Sequence, residues 1–449
     1  MLILILAVGA AAAVWLAVLV GWLTPASQVI RARRSQSIAS LLVALVAVGP
    51  IIAECLTPRP ARLGFGEIAG TPPKFAVLAS QATAIGAVGL AICLFLANRP
   101  HSRGAFIVGG SLASGVFVSS LLGAENGLVR GVFYLPIVFL GLSTVYMTRG
   151  RILFLVRLST RAYMYASLLA ALVAPSWAFH AAPGGIALPG LPGRLFGVGF
   201  HPNLLGFTAV VAIIVEAIPP RTRLWMWHSA AALVVIALAG SRMAWVALIA
   251  VALVWALSNA RRRSEGVAGL FAALGLVLVA IYLVFGVATG TVANLNSRTP
   301  IWHQTISLWH RSPLFGIGPS LYRGGVGSQA GVTIAVDQAH NQILQTLAES
   351  GVIGLALLFI ALLTLFRAAL RDWSADSAAA MAVLVAFACL MFSESPLRVT
   401  GASQAMYLDI IMFLLVFQRS FASGTVRSAG HPSASAPRAT AHEALVAQR

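Results

Sequence analysis

His340 heads the segment His340-Asn341-Gln342-Ile343-Leu344-Gln345-Thr346-Leu347-Ala348-Glu349-Ser350. A neutral imidazole that reaches water at a helix start is a candidate general base, able to take a proton from a hydroxyl. Asn341, Gln345 and Glu349 recur every four residues and share one helix face, a polar stripe able to orient the histidine or a polar substrate. A structural role for a lone boundary histidine stays open.

Three arginines could supply the charge such a base needs opposite it. Arg242 lies in Ala239-Gly240-Ser241-Arg242, between two apolar runs that leave room only for a tight turn. A guanidinium so near the membrane is costly unless paired. Its planar fork matches phosphate oxygens bidentately, so a diphosphate is one partner, and Glu349 or a carbonyl is another. Arg194 belongs to Pro192-Gly193-Arg194-Leu195-Phe196-Gly197-Val198-Gly199-Phe200-His201-Pro202-Asn203. Its glycines let backbone amides approach a ligand closely, and the helix that follows offers its N-terminus to an anion. His201 either caps that helix or reacts. Arg298 precedes Thr299-Pro300, an N-cap and first helical position. Ile301, Trp302, Thr305, Ile306, Leu308 and Trp309 then recur at helical spacing until Pro313. The result is a short amphipathic helix suited to the membrane interface, whose Trp302 and Trp309 stack on sugars or anchor in the interface. His303 and His310 read as solvated surface.

The elements that must position these groups are membrane spans. Of 449 residues 59% are hydrophobic and 9% charged, against about 25% charged in soluble domains, and the mean hydropathy is +0.90. Apolar runs long enough to cross a hydrocarbon core of about 30 Å fall near 2–24, 36–55, 74–97, 104–122, 128–148, 162–179, 203–218, 225–240, 242–257, 267–288, 351–370, 377–395 and 403–418. The expected fold is an all-α polytopic transmembrane bundle of 12–13 spans. Its membrane domain covers 1–419, with a large external loop at about 289–350 and a disordered cytoplasmic tail at 420–449. The first run reads as a retained helix rather than a cleaved signal peptide.

The formal charge of +18, from 30 basic and 12 acidic residues, reports orientation rather than nucleic-acid binding. Arg31, Arg33, Arg34, Arg99, Arg103, Arg149, Arg151, Arg157, Arg161, Arg221, Arg223, Arg261, Arg262, Arg263, Arg367 and Arg371 fall in alternate loops. The positive-inside rule makes those loops cytoplasmic, with the C-terminus. The tail's basic residues suit anionic lipid headgroups. Arg59, Arg62, Lys74, Arg130, Arg194, Arg242, Arg298, Arg311, Arg323 and Arg398 remain on the opposite side; of these, Arg59, Arg62, Arg130, Arg311, Arg323 and Arg398 read as snorkelling contacts. Cys55, Cys93 and Cys389 are isolated, and neither metal-ligand spacing nor a phosphate loop occurs. No metal, cofactor or nucleotide is expected.

The combined pattern resembles the O-antigen ligase family, which also includes polysaccharide polymerases and protein O-oligosaccharyltransferases. The residues that carry the resemblance are Arg194-Leu-Phe-Gly with His201-Pro-Asn203 and Gly206, Gly240-Ser-Arg242, Ser297-Arg298 with Trp302, Trp309 and Ser312-Pro313-Leu-Phe-Gly-Ile-Gly318, and His340-Asn341 with Leu344, Gln345, Glu349, Gly351 and Gly354. They span about 190–355; the first half of the chain matches only in hydropathy. The resemblance implies a fold like that of other glycosyltransferases using lipid-linked donors, set in the bacterial cytoplasmic membrane with its site facing outward. It also implies metal-independent, inverting transfer of a glycan from a polyprenyl diphosphate to an acceptor hydroxyl on a glycan, lipid or protein. Arg194, Arg242 and Arg298 would hold the diphosphate and His340 would deprotonate the acceptor. His201, Asn203, Trp302, Asn341, Gln345 and Glu349 would orient the histidine or the sugars. A polymerase extending the lipid-linked chain is the near alternative. A transporter or flippase is the distant one, and would place ionisable groups within the spans and show internal symmetry.

Overall fold

A computed structural model describes residues 28–56, 74–124, 130–180, 188–199, 201–260, 298–319, 321, 338–371, 378–398 and 402–422. The expected spans at 2–24 and 267–288, the tail from 423, and Arg59, Arg62 and Arg323 lie outside these residues. The described chain is helical: α1 (Gln28–Cys55), α2 (Lys74–Ala97), α3 (Arg103–Leu122), α4 (Tyr134–Leu142), α5 (Arg149–Val173), α6 (Pro202–Ala217), α7 (Trp225–Ala239), α8 (Arg242–Ala260), α9 (Arg298–Trp309), α10 (Gln342–Arg371), α11 (Ala378–Ser393) and α12 (Gln404–Ala422). A two-stranded antiparallel pair, β1 (Phe179–His180) and β2 (Arg194–Leu195), precedes α6. Among the described residues five helices are long and apolar enough to cross a membrane, and six shorter apolar helices pack with them. This is an all-α polytopic membrane protein.

Apolar side chains fill the inside of the bundle and also cover much of its outside. Phe139 stacks on Phe413 at 4.3 Å and Tyr163 on Tyr407 at 5.0 Å inside the bundle. Leu96, Leu172 and Trp227 stand more than 70% exposed on its outside, where hydrocarbon rather than water is the natural neighbour.

Two expected spans are redrawn. The run at 128–148 is a 3-10 turn, Arg130–Phe133, followed by the short α4. The hydroxyls of Ser143 and Thr144 donate to the carbonyls of Leu140 and Gly141 and close the last turn. The run at 162–179 becomes α5, which starts at Arg149, capped by the Thr148 hydroxyl. Its arginines are helical because the end of α6 receives them. Arg157 is buried and donates to the carbonyls of Val215, Ile218 and Pro220, while Arg161 grips Glu216 through two bonds of 2.7 and 2.8 Å. Cations at a helix C-terminus satisfy its orphan carbonyls and oppose its dipole, so these charges brace the fold as well as following the positive-inside pattern.

The turn between α7 and α8 is as tight as the sequence requires. Gly240 adopts a left-handed conformation (φ 57°), and the Ser241 hydroxyl accepts from the Ala244 N–H at 3.3 Å.

Helix α10 is broken at Gly351, whose φ of 63° and ψ of −165° leave the helical region. The strip Pro313–Gly318 fills the break: Val352 and Ile353 donate to the carbonyls of Pro313 and Leu314, and Ile317 and Gly318 donate to those of Ala348 and Glu349. A Cβ on Gly351 would meet the Leu314 oxygen at 2.2 Å, and one on Gly316 the Glu349 carbonyl carbon at 2.4 Å. Backbone meets backbone there, so the glycines are steric necessities. The strip ties α9, which carries Arg298, to the part of α10 that follows His340.

Candidate functional site

The site is organised around Glu394, the residue after α11, with a side chain only 5% exposed. Its Oε2 accepts from His340 Nδ1 at 3.0 Å and from Gln338 Nε2 at 3.1 Å. Its Oε1 accepts from Asn203 Nδ2 at 2.8 Å and from Arg298 Nη2 at 3.4 Å. Burial alone would raise the carboxyl's pKa, but His340 and His201, which become charged on acidification, the His340 hydrogen bond and Arg298 hold it well below the usual carboxylate range. An ionised carboxylate only accepts. His340 therefore carries its proton on Nδ1, which leaves Nε2 as the free basic nitrogen. His340 also has a φ of 50°, the one positive value among described non-glycine residues, a strained conformation of the kind kept where a side chain must be aimed.

Arg194 sits in β2, paired with His180 of β1, and is 3% exposed. Its Nε donates to the Ala239 carbonyl at 2.9 Å and its Nη2 to Asn203 Oδ1 at 2.8 Å. Asn203 thereby links Arg194 to Glu394. Burial lowers the Arg194 pKa to about 10, with Glu394 opposing and the neighbouring charges of Arg242 and Arg298 adding to the shift. Arg242, in the first turn of α8, and Arg298, in the first turn of α9, thus share one electrostatic neighbourhood with Arg194 and Glu394. Three guanidinium groups against one carboxylate leave a surplus of two positive charges.

His201 caps α6: its Nδ1 accepts from the Asn203 N–H at 3.2 Å and lies 4.0 Å from Glu394. Burial lowers its pKa to about 4, with Glu394 opposing and His340, Arg194 and Arg298 assisting. It is a neutral acceptor at physiological pH.

The remaining expected residues take positions of their own. Asn341 Oδ1 caps the start of α10, accepting from the N–H groups of Ile343 and Leu344. Gln345 Oε1 accepts from the Ala339 N–H at 2.6 Å, and its Nε2 donates to Glu349. Glu349 pairs with Arg398 at 2.8 Å rather than with His340 or Arg242. Trp302 is 3% exposed; its indole donates to the Ala339 carbonyl at 3.0 Å and packs edge-on to Phe392. It is closed to a sugar face and to the interface, and it fixes the turn that carries His340. Helix α9 accordingly docks on the protein through Ile301, Trp302 and Thr305 instead of lying free in the interface.

Reasoning from sequence missed Glu394. It ends the apolar run at 377–395, in Ser393-Glu394-Ser395-Pro396, 54 positions after His340. An acid closing a span beside a helix-stopping proline was the available signal.

A polytopic helical membrane protein with a basic, carboxylate-centred site at one end of its bundle is the class defined by this geometry. Residues 227–359 are similar to the family model described as O-antigen ligase. A search of curated proteins finds no match. The matched segment runs from α7 into α10 and contains Arg242, Arg298 and His340; Arg194, His201, Asn203 and Glu394 fall outside it.

Proposed function

We propose that this protein transfers a glycan from a polyprenyl diphosphate to an acceptor hydroxyl at the outer face of a bacterial cytoplasmic membrane, with its C-terminus inside. The observation that carries the reading is the Glu394 carboxylate, which holds His340 and Arg298 at 3.0 and 3.4 Å from its two oxygens. His340 Nε2 takes the acceptor's proton, and the freed oxygen attacks the anomeric carbon with inversion. The bond from that carbon to the diphosphate breaks, and the diphosphate leaves with the electron pair. Arg298 and Arg242 stabilise the charge that grows on it, as fixed donors do best in a water-poor site. Glu394 steadies the imidazolium that forms on His340. Arg194, with two of its donor groups on Ala239 and Asn203, is a positioning residue that holds Asn203 against Glu394. The guanidinium groups supply the positive charge, so the step calls on no metal or cofactor.

Ligase and polymerase run this same step and differ in the acceptor. Purified protein incubated in EDTA with a crude polyprenyl-diphosphate glycan pool is expected to consume the donor, and the product mass separates the two. Arg298→Ala and His340→Ala are each expected to lose at least about 10²-fold of the rate, the scale of positioned acid–base catalysis. Wild-type turnover in both variants would remove this site from the reaction.

A further inference from the structure

Two neutral amides grip the Glu394 carboxylate, one on each oxygen. Asn203 Nδ2 donates to Oε1 at 2.8 Å and Gln338 Nε2 to Oε2 at 3.1 Å. Neither amide is free to turn round. Asn203 Oδ1 accepts from Arg194 Nη2 at 2.8 Å, and Gln338 Oε1 accepts from the Ser395 N–H at 3.3 Å. A guanidinium and a backbone N–H only donate, and an ionised carboxylate only accepts, so each amide keeps its oxygen on its donor and its NH2 on Glu394. Gln338 therefore holds Glu394 twice, by the side chain and by the main chain that follows it. Two further glutamines hold the same strip: Gln345 Oε1 accepts from the Ser395 hydroxyl at 3.5 Å, and Gln342 Oε1 accepts from the Leu397 N–H at 2.9 Å.

The ion pair beside these amides is left open. Arg298 Nη2 stands 3.4 Å from Glu394 Oε1, against about 2.7–2.9 Å for a closed charge-assisted bond. Yet the two side chains are only 17% and 5% exposed, and opposite charges attract strongly where water is scarce. The carboxylate stays short of the guanidinium because its oxygens are tied elsewhere, and Gln338 ties the one that His340 uses. We propose that Gln338 is a positioning residue that keeps Glu394 on His340 and off Arg298, so that Arg298 stays open to the donor diphosphate. The proposal rests on the glycosyl-transfer reading above and adds a residue to it. Without the Gln338 amide, His340 is the one donor left on Oε2 among the described residues. The carboxylate then rotates toward Arg298 and closes the pair. The base loses its orienting partner in the same movement that takes a guanidinium from the donor.

The test uses the full chain in lipid nanodiscs, with transfer from the polyprenyl-diphosphate glycan pool and direct binding of polyprenyl diphosphate as its two readouts. Gln338→Met keeps the side chain's length and removes both of its bonds. It is expected to lower kcat at least about tenfold, part of what a positioned base supplies. It is also expected to weaken donor binding about tenfold, the low end for a hydrogen bond to a charged group. The second arm places the same substitution in Glu394→Gln protein. With no carboxylate to capture Arg298, donor affinity is expected to stay within about twofold of Glu394→Gln alone, the scatter of independent sites. A merely structural role for Gln338 would weaken binding in both backgrounds. Should the methionine variant unfold, Gln338→Glu keeps an acceptor for the Ser395 N–H while removing the donor to Oε2, and it is expected to lower kcat by a similar factor. Thermal unfolding reports folding throughout. Wild-type kcat in a folded variant, undiminished donor binding in Gln338→Met, or equal weakening in the Glu394→Gln background overturns the proposal. The functional reading fails separately, and the proposal with it, if the wild type neither consumes nor binds the lipid diphosphate.

Discussion

Replacing Glu394 by Gln keeps the side chain's shape and removes its charge. The four donors on this carboxylate, Asn203, His340, Gln338 and Arg298, lie at 2.8 to 3.4 Å. The amide can present its oxygen to only one side, so its NH2 faces either the His340–Gln338 pair or the Asn203–Arg298 pair. With NH2 toward His340, the imidazole turns its lone pair to Nδ1 and moves its proton to Nε2, the nitrogen that must act as base. Loss of an orienting carboxylate lowers kcat by up to about 10⁴ in a histidine-based site. Here Gln338 and Asn203 still hold the side chain at position 394 in place and the other amide orientation remains accessible, so a loss of about 10²–10³ is expected, or about 3–4 kcal/mol at 1.36 kcal/mol per tenfold. Donor affinity should move the other way. Removing the one carboxylate among three arginines raises the positive surplus, so the donor KM stays level or falls. Initial transfer rates against donor concentration in nanodiscs resolve the two constants, with thermal unfolding as the folding control. Glu394→Asp keeps the charge and should recover part of kcat. A kcat within about threefold of wild type, well short of an acid–base contribution, or a raised KM at unchanged kcat, would refute the orienting role.

Gly351→Ala should cost about 2–4 kcal/mol through a left-handed alanine and a clash with the Leu314 oxygen, read as a lower Tm in detergent; an unchanged Tm would contradict the filled break. Trp302→Phe leaves the Ala339 carbonyl without its 3.0 Å donor, a penalty of about 1–3 kcal/mol, and should lower kcat more than it changes donor KM. Arg157→Met strips donors from three carbonyls at the end of α6; it should lower Tm while the folded fraction keeps its kcat, and a normal Tm would sink the bracing role. The pH response follows from His201 and Glu394. His201 titrates near 4 in the fold, below its ordinary 6.5, so the unfolded chain takes up the proton first as pH falls. Stability is therefore full above about 6.5 and is lost toward about 4. Glu394, also depressed, adds loss in the same direction at lower pH. Tm should be lower at pH 5 than at pH 7.5, and His201→Gln should flatten the slope; a rise on acidification would refute it.

Much of the architecture was legible because bilayer thickness fixes span length and the described spans follow hydropathy. Where charges sat on a helix, hydropathy misled: Arg149 to Arg161 read as a loop because the partners of Arg149, Arg157 and Arg161, carbonyls and the Glu216 carboxylate at the end of α6, are invisible in a linear pattern. Arg194, Arg242, Arg298 and His340 stood out because orientation did not call for them. Glu394 did not, since an acid at the foot of an apolar run looks like a boundary until its long-range partners are known. Spacing placed Gln345 and Glu349 on one helix, and the structure has Asn341 as its cap. It did not reveal that the partners of Glu349 and Gln345 are Arg398 and the Ala339 amide.

The interrupted α10 bears on how the protein is made. Its longer part, beyond Gly351, satisfies nearly all of its own backbone and can enter the bilayer as an ordinary hydrophobic segment. At the break both parts borrow partners from Pro313–Gly318, synthesised some thirty to forty residues earlier: the shorter part through the carbonyls of Ala348 and Glu349, the longer through the N–H groups of Val352 and Ile353. Insertion and the assembly of the basic centre are thus separable events in biogenesis. A molecule can be fully threaded through the membrane and still be inert until that strip seats, so quality control that monitors insertion alone would pass a population that monitoring of activity would reject.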